Sequence, residues 1–366
     1  MNILLVEPNF PIPAKSKNHC SFLPIGLLKI AAHHRNLGDN VELHRGNILT
    51  KTYPDEIKIT SLFTYWSKHV WDSINFYKTH YPEARIQVGG IYASLMPEHA
   101  KQSGCDDVQI GLYRNGVAEA NEPAYDMVDV DYQIIHASRG CFRRCNFCGT
   151  WKIEPEVTYK KSIKEEIRKK KLVFYDNNLI ANPYIKDILS EIAEFRFSDK
   201  SKVSCESQSG LDGRLLIKDH EIAILLKKAR FQYPRIAWDG PYSHWPKIKE
   251  QIKVLKNAAF PSEDIFIFML YNHDLSYEEM RQKLDACRRW RVRVIDCRFR
   301  PLNSTFDGYN PRAKSQPEEE YYIHKEWTDT QVRAFRRAVR RQNIAIMLKL
   351  PDGRYIEGVE KRYILT

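Results

Sequence analysis

Residues 134–150 read IIHASRGCFRRCNFCGT: a short apolar run stops at Ser138, Arg139 and Gly140, and three cysteines follow at the spacing CxxxCxxC. Thiolates at that spacing can fold around one face of a cube of iron and sulfide, supplying three of its four iron ligands and leaving one iron open to a small molecule. A structural zinc site asks instead for a closed tetrahedron, usually built from two CxxC-like pairs or with added histidines, and the sequence has no second pair. Cys141, Cys145 and Cys148 therefore read as a metal loop, and the flanking chain as the scaffold that holds it.

With Phe147 directly before its last cysteine, the motif resembles the signature of the radical S-adenosylmethionine (SAM) enzymes. The resemblance implies a 4Fe-4S cluster on Cys141, Cys145 and Cys148, with the amino and carboxyl groups of SAM on the fourth iron. It implies one-electron cleavage of the sulfonium to a 5'-deoxyadenosyl radical, with Phe147 near the adenine. An electron donor such as flavodoxin or ferredoxin is implied as a partner.

A chain of 366 residues with 43% hydrophobic content is long enough for two packed domains. MNILLVEPNF carries no signal-peptide pattern, and no apolar run approaches the ~20 residues of a membrane span, so a cytoplasmic protein with no membrane partner is expected. Of the eight cysteines, Cys20, Cys105, Cys205, Cys287 and Cys297 have no framework spacing and read as buried or incidental thiols. The formal net charge of +11 permits an anionic substrate or partner, nucleic acid included, without requiring one. No Walker loop, HExxH helix or GxSxG elbow supports a kinase or hydrolase reading.

Residues 1–125 alternate strands and helices: ILLVE (3–7), a helix over 26–38 closed by Gly38, NVELHR (40–45), IKITSLF (57–63), an amphipathic segment from Lys68 to Pro82, ARIQVGG (84–90) and DVQIG (107–111). This alternation predicts a doubly wound, Rossmann-like parallel sheet with its ligand beyond the carboxyl ends of the strands. The Gly89 and Gly90 pair reads either as a turn or as a place of close backbone approach to a ligand. VGGIYASLMPEHA and SLFTYW resemble the strand tips of the cobalamin-binding domains that precede the cluster in many radical SAM methyltransferases. That likeness implies a corrinoid near Gly89, Gly90 and Tyr92, packed against Tyr65, Trp66 and Tyr92, although the DxHxxG motif of the best-known corrinoid proteins is missing. With the turn-rich 112–132 as linker, these tips are expected to face the cysteine loop across a shared cavity.

After the loop, helix and strand alternate again: a charged helix over 161–171 before LVFYD (172–176), a helix over 182–195 before KVSCE (202–206), and a helix over 214–229 before PRIAWD (234–239). Helices over 247–259 and 276–291 precede DIFIFML (264–270) and VRVIDCRF (292–299). With the run before Cys141 these make six units, which fit a partial (β/α)6 barrel over 126–300, the usual radical SAM core, or an open doubly wound sheet. By the resemblance, Asp176 and Asn178 at the second strand end suit the amino end of SAM, and Asp239 suits its ribose; the plainer reading of each is a helix cap or turn. Gln208 and Arg214 fall in QSGLDGRLL, similar to a QGLDARLL element of the family, where the arginine suits a carboxylate or phosphate; Asp212 there also reads as a helix cap. Tyr271, Asn272, Arg298 and Arg300 are further rim candidates. Residues 301–366 read as a small α+β extension: a helix with Val332, Phe335 and Val339 on one face and Arg333, Arg336, Arg337, Arg340 and Arg341 around the other, then a hairpin turning at Asp352 and Gly353.

Overall fold

The computed structural model describes residues 1–12, 22–119 and 121–353, a mixed α/β chain built on parallel sheets. These residues group into two compact units. Met1–Tyr132, Gly140–Val157 and Pro301–Gly308 form one; Gln133–Arg139, Thr158–Arg300 and the chain from Tyr309 onward form the other. The cysteine loop thus groups with the N-terminal residues, whereas the boundaries drawn from sequence place it with 126–300.

In the first unit the chain runs β1 (Asn2–Glu7), α1 (Ile25–Asn36), β2 (Asn40–Arg45), β3 (Glu56–Ser61), α2 (Ser67–His80), β4 (Arg85–Gly90), α3 (Ile91–Leu95), α4 (Pro97–Lys101) and β5 (Asp107–Gln109). Every neighbouring pair is parallel, in the order β2-β1-β3-β4-β5. The order reverses between β1 and β3, and such a switch point leaves a crevice at the strands' carboxyl ends. β1 is apolar from Ile3 to Val6 because both of its faces are covered: Leu4 and Val6 pack with Val70 and Ile74 of α2, and Ile3 and Leu5 with Leu27 and Ala31 of α1.

The chain continues through β6 (Tyr132–Ile135), β7 (Ser138–Arg139), α5 (Thr150–Ile153), β8 (Thr158–Tyr159), β9 (Lys171–Phe174), α6 (Ile185–Glu194), β10 (Ser204–Ser207), α7 (Gly213–Lys218), α8 (Glu221–Lys228), β11 (Phe231–Gln232) and β12 (Arg235–Ala237). It ends with α9 (Trp245–Asn257), β13 (Phe266–Tyr271), α10 (Tyr277–Trp290), β14 (Arg293–Arg298) and α11 (Asp329–Met347). One sheet has the order β11-β10-β9-β6 and another β12-β13-β14, joined by a parallel bridge from Leu211 to Ile236. Strands beside their chain neighbours therefore succeed one another through both sheets. The expected strand at 234–239 starts earlier and is split, because Tyr233 is left-handed (φ 52°) and Pro234 has no N–H to give to a ladder.

One face of these strands packs on helices: Phe174, Ile236, Ile267 and Met269 share a core with Ile188, Leu226, Leu255, Met280 and Phe335. Along β13 the alternation is plain, with Ile267, Met269 and Tyr271 buried and Phe266, Phe268 and Leu270 only partly so.

Four expectations are corrected. The helix over 161–171 is a single turn, Lys164–Glu166, since the Gln133 side-chain oxygen accepts the Arg168 and Lys169 N–H groups (2.9 and 3.3 Å) and holds that segment out of a helical ladder. The helix over 214–229 breaks in two where the Asp219 carboxylate accepts the Glu221 N–H (3.1 Å) and starts α8. At the C-terminal end, α11 is closed at its start by a capping box of Thr328 and Gln331. It ends at Met347, and beyond the left-handed Lys349 a separate helical turn follows at Pro351–Gly353, so the first arm of the expected hairpin is not a strand; the second arm lies outside the described residues. Arg333 also leaves the solvated face expected for it: it is buried, bonded to Asp329 (2.7 Å) and to the Asn310 and Ala313 carbonyls (3.0 and 2.7 Å).

Among the described residues no helix is long and apolar enough to cross a membrane.

Candidate functional site

The cysteine loop leaves β7 and returns through β8, and the antiparallel pairing of Ser138 with Tyr159 and Arg139 with Thr158 closes its base. Gly140 permits the exit: its φ is +73°, and a Cβ there would lie 2.2 Å from the Glu156 carbonyl oxygen. Between Gly140 and Gly149 the backbone is irregular, which keeps its N–H groups out of a helical ladder; Arg143 N–H points at Cys141 Sγ (3.4 Å). The Cys148 N–H bonds to the Cys145 carbonyl (3.1 Å), as does Trp151 Nε1 (3.0 Å). Leu95 of α3 and Leu302 support the loop at Gly149.

Cys141, Cys145 and Cys148 are unbridged and half-buried, as is Phe147, whereas Cys105, Cys205 and Cys287 are buried, and burial pushes their thiols up. Three accessible thiols within eight residues are a donor set that fits an iron–sulfur cluster. They are not drawn onto one centre, however: among the described residues no three His, Cys, Asp or Glu side chains converge as a metal site requires, and the Cys148 thiol is bonded to Thr150 Oγ1 (3.3 Å). Binding a cluster here requires the loop to close around it.

Asp176 is wholly buried, and its carboxylate accepts the Ala137 and Ser138 N–H groups (3.0 and 2.6 Å) and the Ser138 hydroxyl (2.7 Å). Burial, opposed by these donors, pushes its pKa up to about 6. The carboxylate expected to meet a ligand's ammonium instead pins the backbone just ahead of the cysteine loop. The acceptor left at this strand end is Asn178, 6% exposed, whose Oδ1 is buried with no hydrogen-bond partner among the described residues. Asn178 makes no side-chain cap bond to the helical turn that follows it, so the cap reading fails for this residue.

Gln208 stands half-exposed beyond β10 and donates to Glu206 Oε1 (3.2 Å). Arg214 is occupied locally: Asp212 caps α7, and the Arg214 guanidinium folds back onto it with both carboxylate oxygens engaged (2.8 and 3.2 Å). Asp239 is exposed just past β12; reduced hydration raises its pKa, against the pull of Lys283 and Arg214. Tyr271 and Asn272 are buried, and Asn272 ties the Phe299 and Tyr322 carbonyls and the His324 N–H together, which removes both from the rim. Arg298 is likewise buried, stacked over Tyr309 and Tyr321 (4.4 and 5.1 Å).

In the first unit the glycine pair has a packing reason. A Cβ on Gly90 (φ +103°) would lie 2.2 Å from the Ser61 carbonyl oxygen of the neighbouring strand, while one on Gly89 would make ordinary contact with Gln109. Tyr92 is fully buried, its hydroxyl accepting from Trp71 Nε1 (3.0 Å) and bonded to His99 (2.6 Å), so it has no face for a corrinoid. The rings that do gather at the switch point are Phe10, after β1, and Phe63, Tyr65 and Trp66, after β3. Phe10 stacks on Trp66 (5.6 Å) and Phe63 on Tyr65 (5.1 Å, 7° between planes).

Sequence reasoning passed over several residues. Glu206 and Arg235 form a buried ion pair across β10 and β12, with the same guanidinium bonded to the Ser207 carbonyl. His273 and His324 both approach Asp274 (3.5 and 3.6 Å) beyond β13. Lys283 of α10 is entirely buried, donating to the Trp238 and Gly240 carbonyls on either side of Asp239 (2.7 and 3.0 Å). Phe10 alone had a legible signal, being close behind the first strand of an expected doubly wound sheet.

No protein-family model matches the chain, and no curated protein matches it.

Proposed function

We propose that this chain is a radical SAM enzyme, with Cys141, Cys145 and Cys148 holding a 4Fe-4S cluster and an N-terminal doubly wound domain ahead of a partial (β/α)6 barrel. The observation that carries the reading is the position of the CxxxCxxC loop: it follows the strand that opens a series of strands lying beside their chain neighbours. Arrays of that kind work from the carboxyl ends of their strands. Bound in the loop, the cluster would supply the electron that cleaves SAM. Asn178 would accept from the ammonium of SAM, Asp239 from its ribose hydroxyls, and Phe147 would pack near the adenine. Asp176, buried under Ala137 and Ser138, would fix the base of the loop.

The ring group at Phe10, Phe63, Tyr65 and Trp66 favours a flat cofactor at the first unit's switch point, and hence a cobalamin-dependent methyltransferase acting on an unreactive carbon or phosphorus. The packing roles of Gly90 and Tyr92 favour the cobalamin-independent alternative, in which hydrogen abstraction drives oxidation or rearrangement. Anaerobic reconstitution tests the first claim: about four irons per chain are expected, as a cube held by three cysteines requires, and Cys145→Ala should lose most of them. Stoichiometric zinc without iron would end the reading. Recording the cobalamin absorption spectrum of the same sample with added hydroxocobalamin separates the two reaction types.

A further inference from the structure

The second unit carries an open groove of about 870 Å³ between α9 and α10 that plays no part in the cluster chemistry. Five cationic side chains line it, Lys249, Lys253, Lys256, Arg289 and Arg291, with Glu250 as the single lining carboxylate and Arg289 paired with Asp285 outside it. Lys249, Lys253 and Lys256 follow one another at helical-turn spacing along one side of α9, below Trp245, which is 39% exposed. The indole of Trp290 lines the groove as well, held by stacking on Trp238 (5.8 Å).

A solvated basic face is the ordinary account of surface lysines, and some of those in this protein are matched by carboxylates. Lys186 meets Asp219 and Glu221, Lys68 meets Asp72, and Lys170 meets Asp199. Lys249, Lys253 and Lys256 are exposed, and their side chains make no hydrogen bond or ion pair among the described residues. Like charges at i and i+4 destabilise a helix by a few tenths of a kcal/mol. An uncompensated ladder of this kind, topped by an exposed indole, has the two parts that bind single strands without sequence preference: cations for successive phosphates and a ring on which an unstacked base can lie.

We propose that the α9–α10 groove binds single-stranded nucleic acid, with the lysine ladder along the phosphates and Trp245 stacked on a base. A duplex keeps its bases stacked and would leave Trp245 without a partner, and an acidic protein would use the charge but not the ring.

The test is fluorescence anisotropy of labelled fifteen-nucleotide oligo(dT) and oligo(U) with the full-length protein across a range of potassium chloride concentrations. The triple variant Lys249→Ala, Lys253→Ala, Lys256→Ala, on exposed helix positions that tolerate alanine, should bind at least tenfold more weakly at 100 mM salt. Its slope of log affinity against log salt should be shallower by about 2, since each phosphate contact on a single strand contributes about 0.7. Trp245→Ala should lose roughly fivefold or more with the slope unchanged. Melting curves matching wild type establish that both variants fold. The proposal is overturned if the wild type binds neither oligonucleotide, if the triple variant binds like wild type, or if polyglutamate of equal charge competes as well as the oligonucleotide does.

Discussion

Replacing Asp176 with alanine removes the acceptor for three buried donors, the Ala137 and Ser138 N–H groups and the Ser138 hydroxyl. Orphaned donors of this kind cost about 1 to 3 kcal/mol each, so the gross loss is on the order of 3 to 9 kcal/mol. Set against it is the strain of keeping a charge out of water. Burial lifts the carboxyl from 3.8 to about 6. A folded-state pKa above the unfolded value means that the native protein binds the proton more tightly. The stability this lends is fully present below pH 3.8 and is lost as the pH rises through 6, about 3 kcal/mol in all. Roughly 2 kcal/mol of that falls between pH 4.5 and 7.5. Urea unfolding of wild type and Asp176→Ala at pH 4.5, 5.5, 6.5 and 7.5 should therefore give a stability gap that is widest in acid and narrows by about 2 kcal/mol toward pH 7.5. The difference between the two proteins cancels the titration of other groups. A gap that stays constant, or widens with pH, would refute the assignment of Asp176 as a buried, strained pin.

Other outcomes follow from the same kind of reasoning. Burial lowers the Lys283 pKa from 10.5 to about 8, so the wild type should gain up to about 3 kcal/mol relative to Lys283→Met as the pH climbs from 8 past 10.5, read by denaturant unfolding. Breaking the buried Glu206–Arg235 pair with Arg235→Met alone should cost about 3 to 5 kcal/mol, and Glu206→Leu added to it should recover most of that; an additive double variant would contradict the pairing. Gly140→Ala meets both a left-handed φ and the Glu156 carbonyl, and should lower stability by about 1 to 3 kcal/mol and iron loading with it; iron content equal to wild type would contradict the need for glycine there.

The strands were legible because their burial is continuous: ILLVE needs no partner sequence to be read, since both faces of β1 are covered. Local polar bonds were not legible. The 161–171 segment places Ile163 and Ile167 one helical turn apart and both are buried, yet Gln133 of β6, 35 residues before the Arg168 it bonds, holds the segment as a turn. Asp219 and Tyr233 divide elements that periodicity alone would join. The site shows the same limit. The cysteine motif is written in the sequence, but whether a polar residue at a strand end faces a ligand or the protein depends on partners far along the chain. Asp176 and Asn178 stand two residues apart; one is saturated by protein donors and the other keeps a bare acceptor. Tyr92 and Arg214 were drawn toward a cofactor by resemblance and are taken by Trp71 and Asp212.

The central claim is that the cysteine loop makes this chain cleave SAM reductively, and the direct measurement is 5'-deoxyadenosine released by iron-reconstituted, dithionite-reduced protein, quantified by mass spectrometry. Wild type should form it, with at least one equivalent per chain accumulating over time, and Cys141→Ala, Cys145→Ala and Cys148→Ala should each form none above the protein-free background. Wild-type protein that carries its full iron and sulfide, binds SAM and still releases no 5'-deoxyadenosine would contradict the account.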